Sequence, residues 1–95
     1  MHIHEFQDMM RRVYFRRDFE RGTARTFNWL EEEVKELKEA LKERNTKAME
    51  EEFADVFAWL ASLANVVKID LEKVAIAKYD NRCPKCGQTP CDCSV

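Results

Sequence analysis

Residues that break helices are almost absent from this chain until residue 84, and this absence most constrains its fold. Gly22 is the only glycine or proline before Pro84. No alternating run of β-branched residues indicates a strand, so the sequence predicts an all-α protein. Its helices should pack as an antiparallel four-helix bundle. We expect them at about residues 4–20, 24–44, 47–67 and 71–80.

The joints between the later predicted helices are short and carry capping residues. Asn45 or Thr46 is expected to cap the third helix, and Asp70 the fourth, because their side chains accept hydrogen bonds from exposed N–H groups. So brief a joint at residues 45–46 favours an antiparallel hairpin of the second and third helices.

Two pairs of acidic residues lie on the two helices of this hairpin. Glu33 and Glu36 stand three residues apart, as do Glu52 and Asp55, so each pair presents two carboxylates on one side of its helix. On a helical wheel each pair flanks an apolar stripe that we expect to face the core. The stripes consist of Leu30, Val34, Leu37 and Leu41 on one helix and Phe53, Val56, Phe57, Leu60 and Ala64 on the other. The hairpin should bring the two pairs to a common level.

Four carboxylates at the edge of a core need a cation, because unpaired anions removed from water are unfavourable. Mg²⁺ takes hard oxygen ligands, so a magnesium site is one interpretation. The other is an ordinary solvated surface, since 36% of the residues are charged. Spacing alone does not separate the two.

The residues around these pairs resemble the MazG-type nucleotide pyrophosphohydrolases. The surrounding segments WLEEEVKEL and EEFADVFAWLASLANVVKIDLE are similar to that family, and so is the later KYDNR at 78–82. The resemblance covers about residues 26–82. Its two motifs are Glu32-Glu33-x-x-Glu36 and, after fifteen intervening residues, Glu52-x-x-Asp55.

The resemblance implies an all-α enzyme that uses Mg²⁺ to hydrolyse nucleoside or deoxynucleoside triphosphates to the monophosphate and pyrophosphate. It implies an active site made between subunits, hence a homodimer or homotetramer. Glu32 or Glu33 is the candidate general base. The implied metal ligands are Glu33, Glu36, Glu52 and Asp55. The implied triphosphate-binding residues are Lys78 and Asn81, with Arg82 as an addition. The family's glycine in the first motif is Lys35 here.

Aromatic and basic residues near the acidic pairs each have two interpretations. Trp29 precedes Glu33 by one turn and Trp59 follows Asp55 by one turn. The two side chains either line a pocket for the nucleobase or fill the core. Six arginines in residues 11–25 either form a solvated face or contact phosphate oxygens. These arginines are Arg11, Arg12, Arg16, Arg17, Arg21 and Arg25.

All four cysteines lie in the last residues, as Cys83-x-x-Cys86-Gly and Cys91-x-Cys93. Four thiolates suit structural Zn²⁺, and the spacing resembles a zinc knuckle. Redox-active cysteines and disulfides are the alternatives. We expect a helical domain at residues 1–82 and a zinc-binding tail at residues 83–95.

Composition limits the partners of the chain. A net charge of −2 and a pI of about 5.7 argue against nucleic acid as a ligand. The sequence has no apolar run of about 18 residues, so we expect no membrane helix. The first residues lack the apolar core of a signal peptide, so we expect a cytoplasmic location. Two alternatives stay open: a non-catalytic helical adaptor that docks through the zinc knuckle, and a related hydrolase of phosphoribosyl-ATP.

Overall fold

The computed structural model of the chain describes residues 1–94. Helix α1 spans Ile3–Glu43, α2 spans Thr46–Val66 and α3 spans Leu71–Lys78. No strand occurs in this part of the chain, so the all-α prediction is confirmed. Val95, the end of the predicted zinc-binding tail, lies outside the described residues. Among residues 1–94, no helix combines the length and apolarity that crossing a bilayer requires.

Helix α1 joins the first two predicted helices across a kink. Gly22 has φ 83° and ψ 175°, outside the helical region, in a conformation that is essentially restricted to glycine. Helical structure continues up to Gly22 from both sides, so no loop separates the two halves. We call residues 3–21 the first arm and residues 23–43 the second arm. The predicted four-helix bundle is not confirmed: residues 1–94 form three helices.

Both joints are closed by the capping residues that the sequence indicates. Arg44 ends α1 in the left-handed region, with φ 54°. The Asn45 side chain accepts a hydrogen bond from the N–H three residues later at 3.1 Å. Asp70 does the same at 3.0 Å before α3. These caps turn the chain sharply, so that α1 packs mainly on α2 and also touches α3.

The buried core of a single chain is small. Among residues 1–94 the buried apolar side chains are Leu30, Ala40, Ala61 and Ala64. The expected stripes supply Leu30 and Ala64, whereas most of their larger side chains stay exposed. The expectation that these stripes form the core therefore holds for Leu30 and Ala64 and is wrong for the stripe residues that stay exposed in one copy of the chain. Stripe residues left exposed are Val34, Leu41, Phe53, Phe57 and Leu60.

A buried polar cluster ties the first arm to the joint before α3. Gln7 Nε2 donates to Asn65 Oδ1 at 3.0 Å and to the Ile69 carbonyl at 2.7 Å. Its Oε1 accepts from the Leu71 N–H at 2.9 Å. Asn65 Nδ2 in turn donates to the Gln7 carbonyl at 3.1 Å. This cluster holds the start of α3 against α1.

Candidate active site and metal centres

The hairpin brings three of the four predicted metal ligands together. Glu33 and Glu36 of the second arm and Glu52 of α2 each offer a carboxylate oxygen, and the three atoms lie within 4.8 Å of one another. Glu33 and Glu52 are half-buried, whereas Glu36 is exposed. We call these three residues the acidic cluster.

Asp55, the fourth predicted ligand, lies beside the acidic cluster and is not one of its three members. Its side chain is exposed. Its charge contributes to the raised pKa values of both Glu33 and Glu52, so it lies within their electrostatic reach. Glu32 is exposed, and its Oε1 pairs with Lys35 Nζ at 3.3 Å. The structure therefore does not bring Glu32 into the cluster.

Two oxygens of the acidic cluster lack partners. Glu33 Oε2 and Glu52 Oε2 are buried, and neither has a hydrogen-bond partner in the described part of the chain. Burial raises the pKa of Glu33 to about 7, with further contributions from the Glu36 carboxyl and the charges of Asp55 and Glu52. Burial also raises the pKa of Glu52. Hard oxygen donors left in this state fit a divalent cation.

The two tryptophans stack on each other between the second arm and α2. The ring centroids of Trp29 and Trp59 are 5.8 Å apart, with an interplanar angle of 16°. The guanidinium carbon of Arg21 lies 4.7 Å from the Trp59 ring centroid, within the range of a cation–π contact. The stack is a packing contact between helices, and Trp59 also borders a pocket.

This pocket, with a volume of about 270 Å³, opens between the first arm and α2. Asp18, Arg21, Asp55 and Trp59 all line it. Asp18 is only 2% exposed; its Oδ1 accepts from Arg21 Nη1 at 2.8 Å, while its buried Oδ2 has no partner within residues 1–94. Asp18 was not among the residues predicted from the sequence, although its spacing to Arg21, next to the only early glycine, was a usable signal.

The predicted triphosphate-binding residues lie at the carboxyl end of α3. Lys78 Nζ lies 5.6 Å from the Tyr79 ring centroid. Asn81 has a left-handed backbone with φ 57°, and its carbonyl accepts a hydrogen bond from Thr89 Oγ1. Lys78, Asn81 and Arg82 are exposed. Their part in substrate binding stays a prediction.

The four cysteines form a second cluster, in which all four Sγ atoms lie within 4.8 Å of one another. The Sγ atoms of Cys83 and Cys93 are 3.6 Å apart, and those of Cys86 and Cys91 are 4.0 Å apart. A disulfide is about 2.05 Å long, and all four thiols are free. Sulfurs bound tetrahedrally to zinc at about 2.3 Å are about 3.8 Å apart. The cluster therefore has the dimensions of a tetrathiolate metal site.

Backbone N–H groups face the sulfurs of this cluster. The Asp92 N–H donates to Cys86 Sγ at 3.3 Å, and the Cys93 N–H donates to Cys91 Sγ at 3.3 Å. The Cys86 amide is the largest cause of a Cys83 pKa lowered to about 6. Hydrogen bonding to Cys91 raises the pKa of Cys93 to about 11. One thiolate forms readily, and a bound cation would favour the others.

The fold and these two clusters define a class of protein: an all-α domain whose helical hairpin gathers carboxylates suited to a divalent cation. A family model described as the MazG nucleotide pyrophosphohydrolase domain matches residues 21–87. The chain belongs to this family, so the resemblance seen in its motifs is confirmed. The comparison with curated proteins finds no match. The matched range includes the acidic cluster, whereas most of the first arm lies before it.

Proposed function

We propose that this chain hydrolyses nucleoside or deoxynucleoside triphosphates to the monophosphate and pyrophosphate, with Mg²⁺ at the acidic cluster. Membership of the MazG family supports the reaction class. The observation that carries the proposal is the pair of buried, partnerless oxygens of Glu33 and Glu52 within residues 1–94, beside the Glu36 carboxylate. Mg²⁺ suits them because it binds carboxylate oxygens while keeping several waters.

Four carboxylates have the role of metal ligands in this proposal: Glu33, Glu36, Glu52 and Asp55. These residues would hold Mg²⁺, which would supply charge neutralisation at phosphate oxygens and polarisation of a water molecule, the main requirements of phosphoryl transfer. Glu33 is favoured over Glu32 as the general base, because Glu32 is exposed and paired with Lys35 at 3.3 Å. A general base within the cluster would lie beside a water that the metal holds there.

The other substrate contacts are proposed from where the side chains lie, at the end of α3 and at the pocket beside Asp55. Lys78, Asn81 and Arg82 would meet the triphosphate from the end of α3, where all three are exposed. Trp59 would contact the nucleobase, since it lines the pocket that also contains Asp55.

We also propose a homodimer or homotetramer. The exposed apolar stripes of the hairpin form a face that water does not favour. Two hairpins packed through this face would bury it and would complete a four-helix bundle from two chains. The residues that a second copy would cover are Val34, Leu41, Phe53, Phe57 and Leu60.

For the cysteine cluster we propose Zn²⁺, held by Cys83, Cys86, Cys91 and Cys93. Soft thiolates select zinc, whereas hard carboxylates select magnesium, so the two sites would not compete for one ion. In this proposal residues 1–82 form the helical domain and residues 83–95 a separate metal-stabilised tail. The tail is structural, because within residues 1–94 no histidine or carboxylate belongs to the thiol cluster.

The test is pyrophosphate release from a panel of nucleotides, phosphoribosyl-ATP included, with and without Mg²⁺. Glu36→Gln and Asp55→Asn should each lose most of the activity while the helical circular dichroism survives. Glu39→Gln is the matched control, since Glu39 is exposed on the same arm and pairs with Lys42 at 3.7 Å. Absence of release from every nucleotide would favour the helical adaptor, and release confined to phosphoribosyl-ATP would favour the related hydrolase.

A further inference from the structure

The arginines around the first arm differ in whether they already have a partner. Arg17 and Arg25 make no ion pair within residues 1–94, whereas the other four are paired with carboxylates of the first arm. The paired residues are Arg11 and Arg12 with Asp8, Arg16 with Glu20, and Arg21 with Asp18. Two guanidinium groups therefore remain available for an anion from outside the chain.

Arg17 is the available arginine that borders the pocket next to Asp55. It lines that pocket together with Arg21, and it also lines an adjoining groove with Arg25. Arg21 is already engaged, because it pairs with Asp18 at 2.8 Å and covers the Trp59 ring. Arg17 has neither contact. Of the two arginines on this wall of the pocket, Arg17 is thus the uncommitted cation.

The opposite wall of the pocket carries Asp55, which lies one helical turn after Glu52 of the acidic cluster on α2. Asp55 lines the pocket, and its charge contributes to the raised pKa of Glu33. A triphosphate bound to a divalent cation at the cluster keeps part of its negative charge. Its phosphate chain therefore needs a further cationic partner beyond the cluster. A guanidinium group across the pocket offers charge and two parallel N–H donors that match phosphate oxygens.

We infer that Arg17 binds the polyphosphate chain of the substrate across the pocket from Asp55. This inference rests on the proposed function. It gives the first arm, which precedes most of the matched range 21–87, a direct part in substrate binding. The Asp18–Arg21 pair has a positioning role, because it keeps Arg21 on Trp59 and leaves Arg17 alone at the pocket.

The test uses inorganic tripolyphosphate with Mg²⁺ as the probe and tryptophan fluorescence as the readout. The chain has only two tryptophans, and Trp59 lines the pocket. Arg17→Gln should raise the Kd for tripolyphosphate about tenfold, the size expected for a lost charged hydrogen bond. Arg17→Lys should recover part of the affinity. The KM for the nucleotide should rise in parallel with the Kd.

The matched control is Arg16→Gln. Arg16 is the neighbouring residue, carries the same charge, is 92% exposed and pairs with Glu20 at 3.5 Å. Its loss should change the affinity by less than about twofold, as is usual for an exposed ion pair. Equal weakening by Arg16→Gln and Arg17→Gln would overturn the inference, because it would indicate only the general field of the basic surface.

Two further outcomes separate this inference from the proposed function. An Arg17→Gln variant that keeps wild-type affinity and KM but changes the mass in sedimentation would show that Arg17 pairs with a second copy, and would overturn the inference alone. A wild-type chain that releases no pyrophosphate from any nucleotide would overturn the proposed function and this inference with it. A preserved helical spectrum in Arg17→Gln would exclude a folding defect as the cause of its lost affinity. Partial recovery in Arg17→Lys, which keeps the positive charge, would show that the charge is what binds.

Discussion

Glu33 on the second arm of α1 and Glu52 on α2 offer carboxylate oxygens that lie within 4.8 Å of each other. Each of the two residues also has a buried oxygen without a hydrogen-bond partner in the described chain. Two like charges held this closely destabilise the metal-free protein unless a proton or a cation joins them. The same contact is therefore a candidate binding site and a source of pH dependence.

The first prediction concerns this pH dependence. Glu33 has a pKa of about 7 in the folded chain, against an ordinary value of 4.5. Between the ordinary pKa of 4.5 and the folded-state pKa of about 7, the folded state binds more protons than the unfolded state. The stability of the metal-free protein should therefore fall as the pH rises through this interval. Glu33→Gln should flatten the fall and should melt above the wild type at about pH 8. Thermal melts in a chelator measure both effects.

Glu39→Gln is the control for that experiment, because Glu39 is exposed and paired with Lys42. It should keep the wild-type pH slope. The carboxylates that face Glu33 are Glu36, Glu52 and Asp55, and adding Mg²⁺ should oppose the loss of stability by neutralising all of them. A wild-type melting temperature that rises across the same interval would contradict the prediction.

The second prediction concerns the stacked tryptophans. Trp29 and Trp59 join the second arm to α2 next to the acidic cluster, with ring centroids 5.8 Å apart. A double-mutant cycle of Trp29→Ala and Trp59→Ala in urea unfolding should give a coupling of about 1 kcal/mol, typical of an aromatic pair. Trp29→Ala with Phe15→Ala is a suitable control pair, since Phe15 stacks on Phe19 instead. Coupling near zero in the tryptophan cycle would show that the stack does not hold the hairpin.

The third prediction concerns the cysteine cluster. The purified chain should contain about one zinc per chain, and Co²⁺ in its place should show the absorption of a tetrahedral thiolate site. Cys83→Ser and Cys93→Ser should lower the metal content, whereas Ser94→Ala should not. A chain without residues 83–95 should keep some activity if the tail is only structural. Metal-free protein with disulfides in its mass spectrum would contradict the zinc assignment.

The fourth prediction concerns Gln7. Gln7→Ala leaves the Asn65 amide, the Ile69 carbonyl and the Leu71 N–H without the partner that they have at 2.7–3.0 Å. Unsatisfied buried groups of this kind should lower the free energy of unfolding by about 2–4 kcal/mol. Asp8→Asn, which affects only partly exposed ion pairs, should lower it by less than about 1 kcal/mol. Urea unfolding compares the two, and equal effects would rule out a special role for Gln7.

The fifth prediction concerns the kink. A Cβ at Gly22 meets no atom within 4 Å, but φ there is +83°. Gly22→Ala should therefore lower the free energy of unfolding by about 1–3 kcal/mol through backbone strain, without a clash. Gly87→Ala, with φ +75° and equally open space in the tail, should leave the helical unfolding transition unchanged. A fully stable Gly22→Ala variant would mean that α1 straightens, and small-angle scattering would show a longer particle.

Local features of the sequence account for the predictions that are confirmed. The scarcity of glycine and proline and the caps at Asn45 and Asp70 act within a few residues, so helix type and helix ends follow from them. The spacing of Glu33, Glu36 and Glu52 around a short joint also predicts their approach, because a tight hairpin leaves little choice of register. The same motifs indicate the MazG family, because its signature consists of residue types at fixed spacing along the chain.

Only the tertiary structure decided which side of the hairpin packs, and with it the burial of individual side chains. It exposed Val34 and Phe53, buried Gln7 and Asp18, and left Arg17 at the pocket without an ion pair within residues 1–94. Helical periodicity cannot make these distinctions, because each depends on contacts between residues far apart in the chain. The spacing of the four cysteines predicts a shared metal site, but the distances between their sulfurs depend on how residues 83–93 turn back on themselves.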